Sequence, residues 1–155
     1  MKDASSRWDS STHYSSIGAH NLMLRDVVRT GSYQKAIAEV VRPQHRVLDF
    51  GCGTGILSFF AARAGAREVV AVDRSRFVRV AKEIARQNGL DNIAFFHGDG
   101  DELVLGGEFD VIVSEWMGHF VFTEWMLEPL IRLRDRYLAR GGVIIPARIK
   151  LHAGL

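Results

Sequence analysis

Three glycines at alternate positions follow directly on a short apolar run, in Val47-Leu48-Asp49-Phe50-Gly51-Cys52-Gly53-Thr54-Gly55, and no other stretch restricts the fold as strongly. Glycine permits positive φ and close approach of the backbone to a bound molecule. A run of this kind between a strand and a helix is therefore expected to be a ligand loop. The strand is expected at Arg46 to Phe50 and the helix at Gly55 to Ala64, ending at Gly65.

The periodicity then alternates along the chain. Strands are expected at Glu68 to Val72, Ile93 to His97, Phe109 to Ser114 and Gly142 to Ile145. A helix is expected from Arg74 to Asn88, stopped by Gly89. Another should end near Ala139, with Pro129 in its first turn or at a kink. Before the glycine loop, Ser32 to Val41 reads as a helix with Tyr33, Ala36, Ile37 and Val40 on one face, ended by Pro43. The stretch around Asn21 to Val28 reads as partly helical. Strands alternating with helices imply an α/β fold with a parallel sheet and right-handed crossovers. Val69 to Val72 and Val111 to Val113 are apolar on both strand faces, as a sheet covered by helices on both sides requires. In such folds ligands bind beyond the carboxyl ends of the strands, at the point where the strand order reverses.

Size and composition narrow the class. The chain has 155 residues, enough for one domain with a sizeable core. Its net charge is only +2, with basic residues interspersed, which argues against a general nucleic-acid binder. No apolar run approaches ~18 residues, so no membrane span is expected. The single cysteine, Cys52, excludes an intrachain disulfide and suits a reducing, cytoplasmic setting. Residues 1–12 are polar and serine-rich and read as a flexible tail ahead of a domain over 13–155.

The glycine spacing departs from the dinucleotide pattern G-x-G-x-x-G, because the third glycine comes one residue early and position 56 is Ile. Asp49 separates the two further. A carboxylate there would repel a pyrophosphate and favour a ligand with ammonium and sulfonium charges, such as S-adenosylmethionine. Asp73 ends the second strand, 22 residues after Gly51. An acid at that place can accept from both ribose hydroxyls, and it can equally cap the helix that follows. After the third strand comes Gly98-Asp99-Gly100-Asp101-Glu102, where Asp101 is placed to accept from an adenine amino group and Gly100 to offer backbone bonds.

The fourth strand leads into Ser114-Glu115-Trp116-Met117-Gly118-His119-Phe120, and Glu124 lies nine residues after Glu115. On one helix these glutamates would not share a face. A loop reversing at Gly118 can bring both to one pocket, where they would hold a planar guanidinium in fork geometry. A guanidinium is fully protonated at neutral pH and is a poor nucleophile. Carboxylates can keep its charge on one nitrogen, leaving lone-pair density on another, and can take the departing proton. The plainer account is that Glu115 pairs locally and Glu124 complements a helix N-terminus. Trp116 and Phe120 read as packing residues, and His20 and His119 as candidate supporting or relay groups.

From about Tyr14 to Pro146 the chain resembles the protein arginine methyltransferases. The segments that carry the likeness are Ser114-Glu115-Trp116-Met117-Gly118 with the second glutamate nine residues on, His20-x-x-Met23-Leu24-x-Asp26-Val27-Val28-Arg29-Thr30, and the glycine loop. The resemblance implies a Rossmann-like class I methyltransferase fold, with sheet order 3-2-1-4-5 and helices on both faces, and S-adenosyl-L-methionine as cofactor. It implies that Arg29 binds the cofactor's carboxylate, that Met23 lies near its sulfur, and that Gly51, Cys52, Gly53 and Gly55 pass beneath the methionine part. Asp49, Asp73, Arg74, Gly100, Asp101 and Glu115 complete the implied cofactor site. Glu115 and Glu124 are the implied catalytic pair, and Tyr14, Met117 and His119 the implied substrate contacts. Without the resemblance, Arg29 reads as a surface charge and Met23 as core. No metal is implied.

Two departures stand out. Ser10-Ser11-Thr12-His13-Tyr14 keeps only the last tyrosine of the family's opening motif, and His119 replaces the family's tyrosine. The family's enzymes continue into a β-barrel with a Thr-His-Trp loop, and that tripeptide does not occur here. The chain is therefore expected to be the cofactor half, a fragment or a free-standing domain. Its exposed apolar face would be covered by a further domain or partner chain. The expected acceptor is a guanidino group of a protein or small molecule; the alternatives are another small metabolite, or a cofactor-binding module completed by a partner.

Overall fold

The computed structural model describes residues 17–100, 102–118, 126–152 and 154. Helices α1 (Ile17–Arg25) and α2 (Val27–Val40) precede β1 (Arg46–Phe50). Then follow α3 (Ile56–Arg63), β2 (Glu68–Asp73), α4 (Phe77–Gln87), β3 (Ile93–His97), β4 (Phe109–Val113), α5 (Leu127–Tyr137) and β5 (Leu138–Ile145). The five strands form one parallel sheet in the order β3-β2-β1-β4-β5, as expected.

Alternation along each strand divides the core between the sheet's two faces. Val47, Val69, Val111 and Val113 point to the face covered by Tyr33 and Ile37 of α2 and by Leu57 and Ala61 of α3. Leu48, Phe50, Val70, Val72 and Ile112 point to the opposite face, covered by Leu130, Leu133 and Tyr137 of α5. Complete burial of a Val or Leu contributes about 1.5–3 kcal/mol, so this double-sided core outweighs any local preference. Among the described residues, no helix is long and apolar enough to cross a membrane.

Several element boundaries differ from the sequence expectation, each for a local reason. The helix expected from Ser32 begins at Val27, because the Asp26 carboxylate accepts from the Arg29 N–H at 2.9 Å and caps it there. The helical stretch expected around 21–28 is thus two helices meeting at Asp26. The helix expected from Arg74 begins at Phe77. The Asp73 carboxylate takes the Ser75 N–H and the Ser75 hydroxyl takes the Phe77 N–H, so residues 74–76 form a side-chain-closed turn first. The last strand begins at Leu138 rather than Gly142, and α5 ends at Tyr137 rather than near Ala139. Here the glycine pair is absorbed into an irregular strand. The register with β4 shifts between Phe109 and Val111, Gly141 has φ +81°, and a Cβ on Gly142 would stand 3.0 Å from the Asp110 carbonyl.

The amino-terminal helices leave an apolar surface. Ile17, Leu22, Val27 and Val28 are each at least three-quarters exposed.

Candidate active site

The strand order reverses between β1 and β4, so the turns after these strands lie side by side. Ser114, wholly buried, fastens them together. Its hydroxyl donates to the Phe50 carbonyl at 2.7 Å, its N–H to the Ile145 carbonyl at 3.1 Å, and its own carbonyl accepts from the Tyr33 hydroxyl at 3.1 Å. The next residue, Glu115, therefore leaves the sheet from a fixed point beside the glycine turn.

Within that turn, Gly51, Gly53 and Gly55 have φ of 75°, 50° and 84°, a region that penalises any residue with a Cβ. The N–H groups of Gly51 and Cys52 both donate to the Val72 carbonyl, which draws the turn onto the end of β2. Asp73 draws it further: its Oδ2 accepts from the Gly53 N–H and its Oδ1 from the Ser75 N–H, both at 2.6 Å. The capping and ligand readings of Asp73 are compatible, since each carboxylate oxygen can accept again. The first two glycines also admit neighbours. A Cβ on Gly51 would stand 2.8 Å from Met126 Cε, and one on Gly53 would stand 2.9 Å from His20 Cε1. At Gly55 the crowding atoms belong to Ala81 and Phe59, so this glycine serves the packing of α3 on α4.

Asp49 is not the open charge that its sequence position suggests. It is fully buried on the α2–α3 side of the sheet, where Ser58 of α3 donates to its Oδ2 at 2.5 Å. Burial pushes its carboxyl up to about 7, against the lowering effect of the Ser58 bonds. Its discrimination against a pyrophosphate is correspondingly weaker at neutral pH. Asp49 Oδ1 has no hydrogen-bond partner among the described residues, and a buried acceptor left open in the wall of this turn suits a ligand donor such as an ammonium.

Glu115 meets a guanidinium, and it belongs to the chain itself. Arg29, in the first turn of α2, places Nη1 3.3 Å from Glu115 Oε2, with both side chains partly exposed. Two residues of the implied cofactor site thus face one another, and one of them, Glu115, also belongs to the implied catalytic pair. The nearby Tyr33 hydroxyl is shifted well up, by burial first and the Glu115 charge second, so it remains a donor to the Ser114 carbonyl.

The other expected residues divide. Met23 is half-buried in α1, and its carbonyl receives the Asp26 N–H where the two helices join. Cys52 contributes backbone to the turn, while its side chain is buried with Ala71 and Val78 and its thiol is pushed up by burial. The Arg74 side chain is exposed, and its carbonyl contacts His97 Nε2 at 3.1 Å. Gly100 lies against the Phe50 ring, where a Cβ would stand 2.7 Å from the nearest ring atom, so the position needs glycine for packing whatever its backbone binds. Met117 is partly buried and packs against both core clusters. Tyr14, Asp101, His119 and Glu124 lie outside the described residues.

Sequence reasoning missed Met126 and Tyr33 at this site. Met126 carries no sequence signal beyond its place at the start of α5, and Tyr33 reads as one more apolar position on α2. His20 reads from sequence as a supporting or relay group. In the structure it covers Gly53 and meets the Phe77 ring at a tilt of 55°, with ring centroids 4.0 Å apart.

A glycine turn tied to an acid at the reversal point of a 3-2-1-4-5 parallel sheet is the architecture of a Rossmann-like class I methyltransferase. A family model described as a methyltransferase domain matches residues 47–142, and the chain belongs to that family. Its sequence is similar to protein arginine N-methyltransferases. It is 46% identical over 143 residues to protein arginine N-methyltransferase 1 of Oryza sativa subsp. indica, a match covering 90% of this chain and 37% of the relative. It is 44% identical over 147 residues to protein arginine N-methyltransferase 1 of Saccharomyces cerevisiae, covering 92% and 42%. Among solved structures it is similar to the Trypanosoma brucei PRMT1 enzyme-prozyme heterotetrameric complex with AdoHcy, with TM-score 0.81 and 43% identity over 88% of this chain and 43% of that one. It is also similar to Arabidopsis thaliana protein arginine methyltransferase 10, with TM-score 0.82 and 36% identity over 86% and 39%. The chain thus spans about two-fifths of the length of these relatives.

Proposed function

We propose that this chain binds S-adenosyl-L-methionine at the Gly51–Gly55 turn and transfers its methyl group to a guanidino nitrogen of arginine, in a protein or a small molecule. The observation that carries the reading is the Glu115 carboxylate, which already holds a guanidinium beside the glycine turn. The names of the relatives point the same way.

The bound cofactor supplies an electrophilic methyl on its sulfonium. The chain's own residues bind and align. Asp73 accepts from the ribose hydroxyls with the lone pairs that Gly53 and Ser75 leave open. Asp49 Oδ1 accepts from the cofactor's ammonium, and Arg29 pairs with its carboxylate. Glu115 would hold the acceptor guanidinium, with Glu124 as the second carboxylate, so that the charge stays on one nitrogen, another is left as the nucleophile, and a carboxylate takes the departing proton. Titration calorimetry with S-adenosylmethionine, followed by mass spectrometry of products from arginine peptides, free arginine and simple amines, tests this. Binding with methylated arginine supports it; methylation confined to amines overturns the acceptor.

A second reading concerns completeness. The exposed apolar residues of α1 and α2 favour a further domain or partner chain against that surface, since contiguous exposed apolar patches mark interaction sites. The Trypanosoma brucei relative is an enzyme–prozyme heterotetramer. An ordinary turnover rate for this chain alone would defeat the idea that a partner is needed for activity.

A further inference from the structure

The turn that follows β3 lies at the same end of the sheet as the glycine turn, and it is tied to the rest of the fold at three places. Its first residue, Gly98, donates its N–H to the Asp73 carbonyl at 3.0 Å. It therefore starts beside the acid that also holds Gly53. The Asp99 carbonyl then accepts the N–H groups of Glu102 and Leu103 at 3.1 and 3.2 Å, which closes residues 99–103 into one turn. The second tie is packing at Gly100, where a Cβ would stand 2.7 Å from the Phe50 ring and 3.2 Å from Leu133 Cδ1.

The third tie is a single hydroxyl. Tyr137 Oη donates to the Leu103 carbonyl at 3.2 Å and accepts from the Leu105 N–H at 3.1 Å. A phenolic hydroxyl can do both at once. Tyr137 and Leu105 are buried, while Val104 between the two bonded positions is exposed. The ring itself is fixed. Tyr137 ends α5, and the next residue, Leu138, opens β5 in register with Phe109. The Tyr137 ring meets the Phe109 ring edge-on, with centroids 6.3 Å apart. Leu133 and Tyr137 are four residues apart and share one face of α5. That face supports the turn at its middle and at its far limb.

We infer that Tyr137 is a positioning residue for the cofactor's base: from behind the turn, its hydroxyl fixes residues 99–103 at the edge of the site and so sets the preference for adenine over a base that lacks the amino group. The inference rests on the methyl-transfer reading above and adds a residue that acts through the turn rather than on the base. The turn carries the Gly100 backbone and Asp101, the residues expected to meet the adenine edge. Without the hydroxyl a buried N–H and a carbonyl lose their partner, and the turn gains other conformations. Directional bonds to the base suffer from that, whereas the bonds Asp73 makes from the end of β2 do not.

Tyr137→Phe keeps the ring and its contact with Phe109 and removes only the hydroxyl. Calorimetry on the full chain compares S-adenosylhomocysteine with S-inosylhomocysteine, in which oxygen replaces the amino group of the base. The wild type should prefer the first. In the variant, affinity for S-adenosylhomocysteine should fall by about two- to ten-fold, the scale of one net hydrogen bond. Affinity for S-inosylhomocysteine should fall less, so that the preference narrows; a merely structural loss would weaken both alike. A second measurement needs no variant. Hydrogen exchange at the Leu105 N–H of the wild type, followed by NMR, should be slowed more by saturating S-adenosylhomocysteine than by saturating S-inosylhomocysteine, because a base that grips the turn also steadies its anchor.

Equal weakening of the two compounds, unchanged affinity for both, or exchange at Leu105 indifferent to the base overturns the inference and leaves the methyl-transfer reading standing. If the wild type binds neither compound, the methyl-transfer reading falls and takes the inference with it.

Discussion

The Ser114 hydroxyl donates to the Phe50 carbonyl across the line where the sheet order reverses, at 2.7 Å and out of contact with solvent. This bond joins the ends of β1 and β4, and so joins the glycine turn to the glutamate that follows Ser114. Ser114→Ala leaves a buried carbonyl without its partner, which costs ~1–3 kcal/mol. Urea unfolding should show that loss, and methyl transfer should fall further than the loss of folded protein explains, because Glu115 is released from its anchor. Unchanged stability would show that the carbonyl finds another donor.

At Gly53 the prediction separates backbone from space. Alanine there meets a φ of +50° and the His20 ring 2.9 Å away. The left-handed conformation alone costs ~1–2 kcal/mol. Gly53→Ala should weaken S-adenosylmethionine binding by about ten-fold or more in calorimetry. Adding His20→Ala removes the clash but not the φ penalty, so it should restore only part of the affinity. Full restoration would mean that the turn tolerates the strain.

The Asp49 carboxyl carries a pH dependence of unusual sign. Its ordinary value of 3.8 is raised to about 7 by burial. Between these values the folded protein keeps a proton that the unfolded chain has lost, so this group's contribution to stability is present below about pH 4 and is lost as pH rises towards 7. Asp49→Asn removes the effect while retaining a partner for Ser58. Denaturation midpoints from pH 4 to 7 should fall less steeply in the variant, by a slope approaching one proton. Parallel slopes in the two proteins would mean that Asp49 titrates normally.

Glu115→Gln tests the acceptor side. The variant keeps the shape but not the charge that holds a guanidinium, and loss of such a group lowers turnover by roughly 10²–10⁴-fold. Single-turnover mass spectrometry should show that loss. Affinity for S-adenosylmethionine should be equal or slightly greater, since Arg29 is no longer held by a carboxylate. Equal loss of binding and turnover would leave Glu115 a cofactor-binding role and remove the acceptor role.

Much of this architecture is legible in the sequence. The strands at Arg46–Phe50 and Ile93–His97 have the boundaries that the apolar runs imply, and the sheet order follows the expected 3-2-1-4-5. The glycine turn and Asp73 fall where the motif puts them. Boundaries failed where side chains intervene: Asp26 starts α2 early, and Asp73 and Ser75 delay α4. A propensity pattern is blind to such bonds because each depends on one atom reaching one N–H. The packing of Gly100 against the Phe50 ring was hidden for a related reason, since it depends on one remote side chain.

Sequence alone determined the class of the fold and the chemistry available at its reversal point. Apolar periodicity fixes which segments become strands and helices, and glycine spacing fixes where the backbone turns. Tertiary structure decided which charges meet and in what state. Asp49 is raised towards neutrality because α3 closes over it, and Arg29 reaches Glu115 across 86 positions of sequence only because α2 lies against the end of β4. Burial and distance set those outcomes, and both arise only when the packed layers bring remote segments together.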